Sequence, residues 1–198
     1  MHDHGLGRPD VDALPLFAMA GEPAPPTGNL DVSGVTAIRI VGEASSINLT
    51  TIESEPLTAT FSGQCTGWFA NWYSSWFYND CRTASRMAIE GTTLTVEARP
   101  SSWLEPSDCR VELKANMKEG ISVAVEQAAS QVRLAGEFST LVLNAKAAAF
   151  TMEGHAASVR LKSDALRSHL TFARTEKNET IVIAAHSLDT SLAFPPGT

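Results

Sequence analysis

The sequence predicts an all-β chain wound as a β-solenoid, and three observations lead there. From Ile121 onward apolar residues alternate with polar or small ones, the two-residue step of a strand with one buried face. The alternating pairs recur about every nine residues, a step that no helix produces. Small residues recur eighteen positions apart, Ala129 with Ala147 and Ala165, and Gly136 with Gly154, where the corners of a two-strand coil would stack.

Residues 1–30 come first and hold five prolines and four glycines with no sustained period, so a flexible N-terminal tail is expected. Ala13–Ala20 followed by Gly21 has the outline of a secretory signal's apolar core and cleavage site, but Asp3, Asp10 and Asp12 flank it against the lone Arg8, and the tail reading is preferred. His2, Asp3 and His4 lack the converging ligands that fix a metal geometry, so no metal is expected.

Residues 31–198 are expected to form a single domain. Its first part shows the strand pattern irregularly: Ile38 and Ile40 are followed nine residues later by Ile47 and Leu49. Leu57, Ala59 and Phe61 alternate, as do Met87 with Ile89, Leu94 with Val96, and Val111 with Leu113. These are read as early rungs interrupted by insertions at 62–86 and 99–108. The regular part runs through Val123 and Val125, Val132 and Leu134, Leu141 and Leu143, Phe150 and Met152, Val159 and Leu161, then Ser168 and Leu170. Ser168 alone breaks the apolar rule. Beyond Leu170 the step lengthens to eleven, with Arg174–Thr180 taking up the added residues in a longer turn. The alternative architecture is an antiparallel β-sandwich, which also spaces short strands at eight to twelve residues. The lack of Asn-Gly and Asp-Gly hairpin dipeptides weighs against it.

Charge narrows the function. Fifteen Lys and Arg stand against 22 Asp and Glu, a formal charge of −7, with no basic run to track phosphates, so no nucleic-acid partner is expected. No apolar stretch approaches the roughly 20 residues of a membrane-spanning helix, so no transmembrane segment is expected in this chain.

The least random feature is CTGWFANWYSSWFYNDC, residues 65–81, which carries three of the four tryptophans. Trp68, Trp72 and Trp76 are four apart, and so are Phe69, Tyr73 and Phe77, so a short helix would gather all six on one broad face. Such a face can serve as a structural cap over a sheet edge. It can equally be a binding platform, with Trp68, Trp72, Tyr73 and Trp76 stacking against sugar rings or anchoring a protein partner. Insertion at a membrane interface is a third reading, with little help from the charges of Arg82 and Arg86.

Cys65 and Cys81 bracket the aromatic stretch, and a disulfide between them would restrain it by about 3 kcal/mol. Cys109 stands next to the strand at Val111. Whether Cys65 pairs with Cys81 or with Cys109, or whether all three are reduced core thiols, is open at this level. With no C-x-x-C pair and no histidine at metal spacing, zinc is excluded as an expectation.

Catalytic signatures are missing: no G-x-S-x-G elbow, no phosphate-binding G-x-x-x-x-G-K-[ST], no H-E-x-x-H and no G-x-G-x-x-G. Outward positions eighteen apart collect Arg133, Thr151 and His169 in one column and Glu126, Asn144 and Lys162 in another, and neither opposes two carboxylates. His155, His169 and His186 fall at unrelated phases of the repeat. No catalytic residues and no cofactor are expected.

The opening GVTAIRIVGEASSINL, the middle GTTLTVEA and units such as SQVRLAGEFSTLVLNAKAAAFTMEG resemble the bacterial envelope β-strand-repeat proteins of the auto-transporter adhesin head, or GIN-type, group. That resemblance spans about residues 31–198. It implies a right-handed β-solenoid in a protein exported to the periplasm, cell surface or exterior, with no established chemistry. The expected function is a non-catalytic binding or scaffold module whose partner is a glycan or an envelope protein. The alternative is a polysaccharide-active enzyme on the same fold.

Overall fold

The computed structural model describes residues 29–66, 85–99 and 108–196. All their regular elements are strands: β1 (Leu30–Asp31), β2 (Ala37–Thr50), β3 (Thr58–Thr66), β4 (Arg86–Glu90), β5 (Thr93–Ala98), β6 (Asp108–Asn116), β7 (Ile121–Phe172) and β8 (Thr180–Ala193). Among the described residues no helix is long and apolar enough to cross a membrane. The all-β class is as expected. The strands form one mixed sheet that curls into a half-barrel around a common core.

β2 is the spine of the sheet. One edge pairs in parallel with the start of β7, from Ala37↔Ser122 to Thr50↔Ala135. The other edge is shared, with β5 along its first half (Ala37↔Thr93 to Gly42↔Ala98) and β6 along its second (Ser46↔Glu112 to Thr50↔Asn116), both parallel. β8 lies parallel to the end of β7, from Ser158↔Thr180 to Thr171↔Ala193. The remaining pairs are antiparallel: β1 with β3, β3 with β6, and β4 with β5.

β7 has 52 residues, which at about 3.3 Å each would extend about 170 Å if straight. It bends back on itself instead, and residues about eighteen apart become neighbours. Ser163 Oγ donates to Lys146 O at 3.1 Å, and His155 Nδ1 lies 3.4 Å from Glu137 Oε2. Gly154 sits directly on Gly136: a Cβ at Gly154, whose φ is +135°, would lie 2.0 Å from the Gly136 carbonyl oxygen. A left-handed backbone and contact with the next turn of chain both require glycine there.

The alternation read from the sequence matches the burial. Val123, Val125, Val132, Leu134, Leu141, Leu143, Phe150, Met152, Val159, Leu161 and Leu170 are all buried, and so is Ser168, whose Oγ lies 2.6 Å from Thr190 Oγ1. The longer turn is also present. Leu170 pairs with Leu192, and the Phe172 and Phe194 rings stack at 5.0 Å.

The first part departs from expectation in three ways. Ser62–Thr66 continues β3 and pairs with β6, so that segment is ladder and not insertion. The early strands do not stack in chain order, since β2 lies between the later β5/β6 and β7. β4 and β5 form a hairpin about Gly91-Thr92, with Gly91 at φ +61°, the Gly-first turn that a search for Asn-Gly and Asp-Gly passes over.

Candidate functional site

Trp68, Trp72, Tyr73, Trp76 and Cys81 lie outside the described residues, and the helix expected for them lies there too. The strand ends around that stretch are described. Thr66, the last residue of β3, faces Asp108, the first of β6. Ser85, just before β4, is buried and clamped to Arg99, just after β5: its Oγ donates to Arg99 O at 3.1 Å and accepts from Arg99 N at 3.0 Å. Residues 67–84 therefore run from the first of these paired bases to the second, and residues 100–107 run back between the same two. Trp68, Trp72 and Trp76 belong to one connection and Trp103 to the other, so all four tryptophans of the chain are tethered between the same two anchor points.

Cys65 is the residue before Thr66 in β3, and the ladder sets it opposite Cys109 of β6. The sequence left its partner open.

A second feature is a trough of about 810 Å³ lined by residues of β2, β6, β7 and β8. Ala129, Ala147 and Ala165, the small residues expected at a corner, all line it, together with Ala44, the ladder partner of Ala129. Ser45 and Ser130 stand beside them, both buried; Ser45 Oγ donates to Gln127 Oε1 at 3.0 Å, while Ser130 Oγ has no hydrogen-bond partner among the described residues. The charged residues lining the trough, Arg167 and Asp189, pair with each other at 3.1 Å. Such a surface offers methyl and hydroxyl contact to an extended ligand and little net charge.

One of the two outer columns is brought together. Glu126, Asn144 and Lys162 line one shallow depression with Arg39 and Asp164. His169 bonds to Ser191, and His186 Nδ1 lies 3.2 Å from Asp164 Oδ1, so these exposed histidines join β7 to β8.

His155 is different, and the sequence reading missed its surroundings. It is 4% exposed, with Nε2 2.8 Å from Glu179 Oε1 and Nδ1 facing Glu137. Arg174 closes the group, its Nη2 2.9 Å from Glu137 Oε2 and its Nε 2.8 Å from Glu176 Oε1. The cluster pins the long turn between β7 and β8 onto the Gly136 and Gly154 corner. Glu137 lies one eighteen-residue step before His155, which was the available signal; Glu179 lies across the lengthened turn, which the period does not predict. The arrangement binds a loop to a corner, a packing task. No group of three or more His, Cys, Asp or Glu suited to a metal occurs among the described residues.

No family model matches the chain, and no curated protein does. Among solved structures it is similar to the crystal structure of a putative adhesin from Bacteroides fragilis, with a TM-score of 0.35 and 9% identity, covering 85% of this chain and 95% of that one. The likeness to GIN-type adhesin heads rests on the strand units alone.

Proposed function

We propose that the chain is a non-catalytic binding module of the bacterial envelope or exterior, built as a right-handed β-solenoid, that takes a glycan through Trp68, Trp72, Tyr73 and Trp76. One observation carries this reading. All four tryptophans lie in two connections tethered between the same anchor pairs, Thr66 with Asp108 and Ser85 with Arg99. The described strands meanwhile bury a core of their own, from Val32 to Phe172. Indole faces match the flat faces of pyranose rings, and concentrating them in one place suits repeated sugar units. The solenoid reading is supported by neighbours eighteen apart in β7 and by the long parallel registers of β2, β7 and β8. The envelope location is supported by the resemblance of the strand units.

Retention on insoluble cell-wall polysaccharide and on a glycan array, with Trp72→Ala/Trp76→Ala as the variant, tests the proposal. Lost retention at an unchanged melting temperature is expected. Collapse of the fold makes the aromatic stretch a structural cap, and unchanged retention removes these residues from binding. Incubation with the same polysaccharides separates the enzyme alternative, because a lyase or hydrolase releases unsaturated products or new reducing ends.

A further inference from the structure

The ladder between β3 and β6 answers the cysteine question that the sequence left open. Its register runs through eight consecutive pairs, from Ala59↔Ala115 to Thr66↔Asp108. Phe61 and Leu113 oppose each other and are buried, at 1% and 0% exposure. A slip of one residue would turn one of the two strands' apolar sets toward water, so the register is fixed by the core. Following the two-residue step from Phe61 through Gly63 reaches Cys65, and from Leu113 through Val111 reaches Cys109. Cys65 and Cys109 therefore fall on the same two-residue step as Phe61 and Leu113, and they are direct partners in the ladder.

Directly opposed residues of an antiparallel pair have Cα atoms about 4.5 or 5.5 Å apart, depending on whether the pair is hydrogen-bonded. Both spacings fall inside the roughly 4.4–6.8 Å that a disulfide spans. We infer that Cys65 and Cys109 form a cross-strand disulfide that staples β3 to β6 at the base of the two tryptophan-bearing connections, leaving Cys81 as the free thiol. A small disulfide such as oxidised glutathione is a sufficient oxidant. One cysteine thiolate attacks it, forming a mixed disulfide and releasing one glutathione thiolate. The second cysteine thiolate then attacks the protein sulfur of that mixed disulfide and releases the other glutathione, so two protein thiols are lost and two glutathione thiols appear.

The pairing accounts for the position of two of the three cysteines without assigning any conformation to the aromatic stretch. It would close a loop of about 45 residues, long enough to restrain the unfolded chain strongly.

The full chain, equilibrated with oxidised glutathione, alkylated without reduction, digested and mapped by mass spectrometry, tests the inference. The expected result is a linked peptide pair containing Cys65 and Cys109, with Cys81 outside the linkage and either alkylated or carrying glutathione. Oxidation should also raise the melting temperature by on the order of 10 °C, and Cys81→Ser should retain both the linkage and the shift. A Cys65–Cys81 or Cys81–Cys109 linkage overturns the inference, and so do three alkylated cysteines after equilibration. Because the mapping uses the unaltered chain, it decides the question even if Cys65→Ser or Cys109→Ser fails to fold.

Discussion

Gly154→Ala is the sharpest probe of how the turns of β7 rest on one another. The new Cβ would stand 2.0 Å from Gly136 O, 2.8 Å from its C and 2.9 Å from its N. All three are backbone atoms, so no side chain can rotate out of the way. Holding a non-glycine residue at φ +135° costs about 1–3 kcal/mol, and forcing an extra methyl into a filled contact costs a similar amount. Together they predict a loss of about 2–6 kcal/mol, on the order of 10 °C in melting temperature for a chain of this size. Two controls divide the total. Gly91→Ala meets nothing within 4 Å but carries φ +61°, so it isolates the backbone contribution at about 1–2 kcal/mol. Gly34→Ala meets nothing and needs no left-handed backbone, so its effect should lie near zero. Urea midpoints at constant m-value rank the three variants. If Gly154→Ala proves no worse than Gly91→Ala, the close stacking of Gly154 on Gly136 is refuted, and the eighteen-residue step with it.

Leu143→Asp or Met152→Asp should unfold the parallel part of the sheet, because each places a carboxylate at a site under 2% exposed, whereas Arg133→Asp on the outward face should shift the melting temperature by no more than about 2 °C. Equal effects at both kinds of position would contradict the inward assignment. Asn116→Asp preserves size but removes the amide that donates to Ile52 O, Glu55 O and Pro56 O at 2.9, 3.0 and 3.3 Å, and should cost about 2–4 kcal/mol. Hydrogen exchange or limited proteolysis should show the loss first at residues 52–56, and protection there unchanged from the parent would mean that the turn holds without Asn116.

How much was legible follows from how local each determinant is. The inward residues of β7 could be read because alternation is a local signal: Val132 and Leu134, Leu141 and Leu143, and Phe150 and Met152 stand two apart within each pair and are all buried. Asn116 gave no such signal. It follows Ala115 as the last residue of a strand, and its importance arises from carbonyls about sixty residues earlier in the chain. The partner of Cys65 was equally hidden, since the β3–β6 register depends on Phe61 meeting Leu113, a long-range match that spacing cannot show. The aromatic residues stood out by concentration and four-residue spacing, and neither fixes where their side chains point.

The placement of β2 is the deepest of these omissions. Alternation at Ile38, Ile40, Ile47 and Leu49 shows that this strand has one buried face, but not that both of its edges are paired. Those partners come much later in the chain: β5 begins at Thr93, β6 at Asp108 and β7 at Ile121. Gly42 records one of the contacts, for a Cβ there, at φ +120°, would lie 2.1 Å from Ala98 O. Thr51 records the other: its backbone N donates to Ala135 O at 3.1 Å and its Oγ1 accepts from Glu137 N at 2.8 Å. β2 therefore joins the antiparallel strands that carry the tryptophan-bearing connections to β7 and, through β7, to β8. Because its ladders close only after long stretches of intervening chain, they incur loop-closure entropy before any contact compensates, and a repeat that is local in sequence depends on a seam that is not.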